Sequence, residues 1–222
     1  MHAPLVIHFA CDRSAMKNRT REVDRRDSIP IRKQAGVLVS AKWADGLPRW
    51  QPHHGEDGQV YSLAHLHPHR VTLSFAARAD YPACDIEIRV GYSSHPFTKG
   101  CPKGETSHAP YSKPHDARVF CLERYRLSLQ LPKIIESIDA RRCYATNHRN
   151  YFVVDSFDLL PANTEYWVFF NTKKADADTM RLFVESAYAG DPSRAPHGRR
   201  RESVMFRALV SKTLGLKKAN PA

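Results

Sequence analysis

The sequence predicts an α+β fold: an antiparallel sheet with a short helix packed on one face, and basic terminal arms. Three observations predict it. Residues 70–76 and 84–92 alternate apolar and polar side chains with the period of two that a half-buried strand requires. Three further strand candidates follow one another in the second half, joined by short polar connections that suit an antiparallel meander. A short apolar stripe of helical spacing precedes that meander, so a helix can lie on one face of the sheet.

Taken in order, residues 1–35 mix charge, Asn, Ser and Pro without a period and read as a basic arm or an irregular cover. Residues 37–43 (VLVSAKW) alternate like a strand, and Gly46, Pro48, Pro52, Gly55 and Gly58 mark the loop after it. In residues 70–76, Val71, Leu73 and Phe75 share a face; in 84–92, Ile86, Ile88, Val90 and Tyr92 share one, opposite Glu87 and Arg89. Residues 93–116 hold Pro96, Pro102, Pro110 and Pro114 with Gly100 and Gly104, which predicts a long loop with no regular element. Long loops in compact domains are more often functional than short ones. Residues 117–131 suit a helix through Val119, Leu122, Arg126 and Leu129, or a strand through Tyr125, Leu127, Leu129 and Leu131. Pro132 then fits a first helical turn, and Ile134, Ile135 and Ile138 give a short helix ending near Ala140. Residues 150–157 (NYFVVDSF), 165–172 (EYWVFFNT) and 181–188 (RLFVESAY) are the meander. Residues 191–201 form a turn-rich basic linker, and 203–216 an amphipathic helix through Val204, Phe206, Leu209, Val210 and Leu214, with Gly215 near its end. The domain plan is an arm over 1–35, a single α+β domain over 36–191, and a basic tail with a short helix over 192–222.

Charge is placed unevenly in these 222 residues, whose formal net charge is +11. Residues 11–33 carry eight Lys or Arg against four acids, and residues 192–222 carry eight against one, while the body between them balances 18 bases with 18 acids. Two basic arms on a neutral body suit a protein that meets a polyanion with its ends, and equally suit a pair of solvated tails. Arg199, Arg200, Arg201, Lys212, Lys217 and Lys218 are the candidate nucleic-acid-binding residues, through salt-sensitive, sequence-blind contacts. No run of about 18 apolar residues exists, and the apolar patch Leu5–Ala10 is short and lacks a basic leader, so neither a membrane span nor export is expected. The five cysteines are odd in number and none makes a C-x-x-C pair, which points to a reduced, cytoplasmic setting. On an extended segment His65, His67 and His69 would share a face, where they could hold a transition metal or simply line a strand rim.

The chain has no P-loop, no G-x-G-x-x-G after a strand, no G-x-S-x-G, no H-E-x-x-H and no acidic cluster suited to magnesium. What remains is His95 in GYSSHPFTKG, Arg124 and Arg126 before the helix, and Ser186 with Tyr188 at the end of the last strand. RNA cleavage by its own 2′-OH needs a base, a cation for the phosphorane and an acid for the leaving oxygen, so it demands neither cofactor nor metal. His95 can serve as base or acid, Arg124 as phosphate clamp, and Ser186 and Tyr188 as positioning donors. Each has a plainer role too. His95 can cap a turn before Pro96, Arg124 and Arg126 can pair with Glu123 or Glu136, and Tyr188 can pack its ring and wet its hydroxyl. In the run Tyr166, Trp167, Phe169 and Phe170 the pattern leaves open which phase faces the core.

The order His-loop, Arg-containing segment, short helix (LPKIIESI), strand (NYFVVD), strand (EYWVFF) and strand ending in VESAY resembles the small metal-independent RNase toxins that share the barnase, EndoU, colicin and RelE fold. The resemblance covers about residues 90–190. It implies catalytic roles for His95, Arg124, Ser186 and Tyr188, RNA as substrate, and an antitoxin or inhibitor protein as a partner. The sequence departs from the pattern in the long Pro-rich stretch before Arg124 and in its first 80 residues. The whole chain is also similar to bacterial proteins of prophage-like islands. The expected function is therefore a toxin-like, metal-independent ribonuclease. The alternative is a non-catalytic nucleic-acid- or protein-binding accessory factor of mobile-element origin.

Overall fold

In a computed structural model of the chain, the described residues are 46–77, 83–103, 107, 109, 111–113, 115–146, 151–194 and 203–216. The arm over 1–35, the strand candidate at 37–43, and Arg199, Arg200, Arg201, Lys217 and Lys218 lie outside them. Along the chain run β1 (His53–His54), β2 (Val60–Tyr61), a 3-10 turn at Ala64–Leu66, β3 (His69–Phe75), β4 (Cys84–Tyr92), β5 (Thr98–Gly100) and β6 (Arg118–Phe120). Then come α1 (Leu122–Ser128), α2 (Leu131–Glu136), a 3-10 turn at Ile138–Ala140, β7 (Arg142–Ala145), β8 (Tyr151–Asp155), β9 (Glu165–Lys174) and β10 (Thr179–Gly190). A 3-10 turn at Pro192–Arg194, β11 (Ser203–Met205) and α3 (Phe206–Leu214) complete the described chain.

The fold is α+β, with most strand pairs antiparallel. The main sheet has seven strands in the order β11-β7-β8-β9-β10-β4-β3. The meander β8-β9-β10 and the hairpin β3-β4 are antiparallel, as their short connections require, and the two join through one parallel pairing, β4 with β10. One face of the sheet carries the core. Ile86, Ile88 and Val90 of β4, Val168 and Phe170 of β9, and Leu182 and Val184 of β10 are wholly buried there, beneath Leu131 and Ile135 of α2 and Phe206 and Val210 of α3. Burying a side chain of this size stabilises by about 1.5–3 kcal/mol, so this face supplies most of the folding free energy.

The region 117–131 resolves its ambiguity by being both, a short strand followed by a helix. Pro132 sits in the first turn of α2, where its missing N–H has no helical partner to lose. Thr98–Gly100, inside the predicted loop, pairs with Arg118–Phe120, so the expectation of no regular element over 93–116 is corrected: the prolines flank β5 rather than interrupt it. Residues 203–216 begin as a strand. Ser203–Met205 pair with β7 before α3 starts, and Gly215 closes α3 at φ 69°, a left-handed conformation with little cost for glycine. This segment docks on its own body, with Phe206, Leu209, Val210 and Leu214 buried in the core. Among the described residues no helix is long and apolar enough to cross a membrane.

Candidate functional site

Strand β10 outruns its parallel partner. Beyond the pair Val184–Tyr92, β4 ends and the chain turns away through Ser93, whose N–H donates to the Val184 carbonyl and whose hydroxyl donates to the Glu185 carbonyl. At the same level the pairing of β10 with β9 jumps from Val184–Phe170 to Ser186–Phe169, leaving Glu185 as the extra residue of a β-bulge. The bulge changes which side chains face which way. Met180, Leu182 and Val184 point into the core; after Glu185 it is Ala187 that does so, and Ser186 and Tyr188 stand on the outer face. There the Tyr188 ring stacks on Phe169 at 5.5 Å and meets Trp167 edge-on at 5.8 Å. The aromatic run thus divides: Tyr166 and Phe170 belong to the main core, Trp167 and Phe169 to the outer face.

The turn after Ser93 places the imidazole. Ser94 to Phe97 closes through Phe97 N–H to the Ser94 carbonyl, and the backbone N–H of His95 donates to Ser93 Oγ. His95 therefore does sit in a turn before Pro96, but its ring has a partner of its own. Nε2 lies 3.0 Å from Asp116 Oδ2. A carboxylate only accepts, so Nε2 carries the proton and a neutral His95 keeps its lone pair on Nδ1. Asp116 is held from its other side by Arg118 Nη1 at 3.1 Å, and the buried Arg118 donates through Nε and Nη2 to the hydroxyl and carbonyl of Thr98. Burial pushes the His95 pKa below 6.5 against the opposing pull of Asp116, and Arg118 and Arg124 push it the same way as burial. Bonds from His95 and Arg118 hold the Asp116 carboxyl below its ordinary range despite its partial burial, which acts in the opposite sense.

Arg124 projects from α1 and donates through Nη1 to the carbonyls of His95 (3.1 Å) and Thr98 (2.9 Å), with its guanidinium carbon 5.2 Å from the centre of the Tyr188 ring. It is half-buried, and no carboxylate pairs with it among the described residues. Burial, then Arg118, lowers its pKa, yet a guanidinium keeps its proton. Burial raises the Tyr188 pKa, so its hydroxyl stays protonated as a donor.

A cleft of about 560 Å³ opens between these parts, lined by Ser93, His95, Phe169, Phe183, Glu185, Ser186 and Tyr188. Three of the four residues singled out in the sequence, His95, Ser186 and Tyr188, line it together. Arg124 does not; it stands behind Tyr188 and touches the cleft through that ring and the His95 carbonyl. Asp116 and Glu185 escaped the sequence reading. Glu185, whose Oε1 accepts from Asn171 Nδ2 at 2.7 Å, was signalled only as the lone acid in RLFVESAY. Asp116 had no signal, being one more acid beyond a Pro-rich loop. Arg126 and Lys212 are exposed, and Lys212 lies on α3, which packs on the core side of the sheet.

The histidines of HLHPH separate. His65 lies in the 3-10 turn with Nε2 2.8 Å from Ser128 Oγ, His67 Nε2 donates to the Trp50 carbonyl, and the His69 ring stacks on Tyr92. A 3-10 turn at His65 breaks the extended geometry that would align the three. Among the described residues no group of three or more His, Cys, Asp or Glu is placed to hold a metal ion.

The YjaZ family model matches residues 51–214, which span β1 to α3 and every residue of the cleft, and the chain belongs to that family. No curated protein and no solved structure matches the chain. The likeness to metal-independent RNase toxins therefore rests on element order and residue types alone.

Proposed function

We propose that this member of the YjaZ family is a metal-independent ribonuclease, toxin-like and acting in the cytoplasm, that cleaves RNA through attack of its own 2′-OH. The observation that supports it is the convergence of a carboxylate-held imidazole, a phenol and a hydroxyl on one cleft, with a desolvated guanidinium behind the phenol ring. His95, with its pKa lowered, is neutral at pH 7 and suited to act as base through Nδ1. It takes the 2′-OH proton, the 2′ oxygen bonds to phosphorus, and the bond from phosphorus to the 5′ oxygen breaks. The leaving oxygen takes its proton from the Tyr188 hydroxyl, and the products are a 2′,3′-cyclic phosphate and a 5′-hydroxyl end. Ser186 donates to a phosphate oxygen. Arg124 acts from behind, fixing the His95 turn and supplying positive potential to the phosphorane. Asp116, itself held by Arg118, fixes the ring tautomer. The same proposal includes an antitoxin or inhibitor protein that covers the cleft.

The test is incubation of purified protein with RNA in EDTA. Wild type is expected to yield cyclic phosphate ends, and His95→Ala to lose about 10²–10⁴-fold in rate. Intact RNA from the wild type would overturn the enzyme reading and leave the alternative, a non-catalytic nucleic-acid-binding accessory factor.

A further inference from the structure

We infer that the outer face of the sheet beside the cleft is a binding track for the sugar-phosphate backbone of single-stranded RNA, carried by Arg70, Arg89, Arg181 and Lys173. The registers place these four cations in one transverse row. Arg70 of β3 is paired with Arg89 of β4, Arg89 with Arg181 of β10, and Arg181 with Lys173 of β9. All four are on the side away from the core, because their neighbours along each strand, Val71, Ile88 and Val90, Met180 and Leu182, and Thr172, face the core side. Three interstrand spacings make the row about 14 Å long. Like charges directly opposite on neighbouring strands destabilise a sheet, and here three consecutive pairs are alike. Glu87 joins Arg70 and Arg89 at 3.0 and 2.7 Å. A polyanion laid across the row meets four cations on four adjacent strands.

The row also leads somewhere. Two residues along β10 from Arg181 lies Phe183, and next on that face are Glu185 and Ser186, so the cations run directly into the cleft that Phe183 and Ser186 line. A backbone held on the row would bring a base to the exposed edge of Phe183 and its phosphate toward His95. Stacking on Phe183 needs an unpaired base, which is why the ligand is a single strand rather than a duplex. The row itself offers charge without a donor–acceptor pattern for base edges, so it binds without regard to sequence.

This inference rests on the ribonuclease reading for its choice of RNA, but its test does not use cleavage. A fluorescent single-stranded 2′-deoxy oligonucleotide has no 2′-OH and stays whole, and its affinity is measured by anisotropy over a range of salt. In R181Q/K173Q the slope of log K against log salt is expected to shrink by about 1.4, and in R70Q by about 0.7, at about 0.7 per phosphate contact on a single strand. Lys133→Gln, exposed on α2 on the other side of the sheet, is expected to leave the slope unchanged. A wild-type slope in R181Q/K173Q, a larger loss in Lys133→Gln, or no binding by the wild type overturns the track. Thermal unfolding of each variant monitors folding, and R70Q at the sheet edge carries the test should the double variant not fold. A reduced slope with uncut RNA retains the track and rejects the nuclease. Cut RNA with an unchanged slope does the reverse.

Discussion

The two faces of the seven-stranded sheet are built from the same strands and differ in nearly everything else. The helical face is closed by α2 and α3 over wholly buried Ile, Leu, Val and Phe. The outer face holds a cation row, a small aromatic patch of Trp167, Phe169 and Tyr188, and a cleft with a histidine, a carboxylate and three hydroxyl side chains. Stability resides on one face and chemistry on the other, and one inserted residue connects them. Were Glu185 an ordinary pleated residue and not the extra one of a bulge, the period of two would carry Ser186 and Tyr188 to the core side together with Val184. A strand that is interior for its first half thereby delivers a phenol and a hydroxyl to the opposite surface without a turn.

The largest effect expected from this division is in stability. Phe170→Ala, on the helical face with no exposure, is expected to lose about 3–5 kcal/mol in urea unfolding. Phe183→Ala, half-buried on the outer face, is expected to lose less than about 1.5 kcal/mol while weakening RNA binding by stacking on the order of 1–3 kcal/mol. Equal destabilisation by the two would erase the distinction between the faces.

Deleting Glu185 sharpens the comparison at the bulge. With the extra residue gone, Ser186 follows Val184 directly and stays opposite Phe169, so Ser186 and Tyr188 keep the outer face, while the cleft loses the Glu185 carboxylate and the carbonyl that accepts from Ser93. The expected destabilisation is about 1–3 kcal/mol from the lost bonds to Ser93 and Asn171, with a fall in RNA cleavage as the turn that carries His95 loses that anchor. Glu185→Gln keeps the bulge and should keep the wild-type stability to within about 1 kcal/mol. If the deletion folds and cuts RNA like the wild type, the bulge does not set the site.

Much of the helical face was legible in the sequence because it is a matter of local period. Residues 84–92 showed their buried phase directly, and β4 occupies the same residues. The meander was legible from its short connections. The parallel pairing of β4 with β10 was not, since it joins segments about ninety residues apart and no local pattern records it. Residues 165–170 are apolar in both phases, which hides which ring faces which side until a neighbouring strand is in place. The candidate site was half legible. His95 and Tyr188 stood out as chemistry at the ends of strands, but Asp116 becomes a partner only after β5 and β6 pair and bring the two ends of the Pro-rich stretch together. The bulge left no mark on the strand's composition, and the cation row appears only when four strands are read across rather than along.

Two histidines, one against Ser128 of α1 and one at the cleft, give the smallest and most discriminating effect. His65, among the helices beside Ser128 and Tyr125, has its pKa pushed down to about 4 by burial. The unfolded chain protonates this ring near 6.5 and the folded one only near 4, so the unfolded state binds the extra proton between those values. Its contribution is complete above 6.5 and is lost as pH falls toward 4. His65→Gln should flatten that part of the curve of unfolding free energy against pH, and an unchanged curve would count against burial as the cause. His95 is lowered too, but Asp116 works against its burial, so Asp116→Asn should move its NMR titration midpoint further down. With neutral His95 as base, the acid limb of the cleavage profile moves to lower pH in Asp116→Asn, while the plateau falls because the ring has lost its anchor. His65 should titrate unchanged in that variant. A His95 midpoint that stays put or rises would mean that the carboxylate does not hold the imidazole in solution, and the outer face would lose its base.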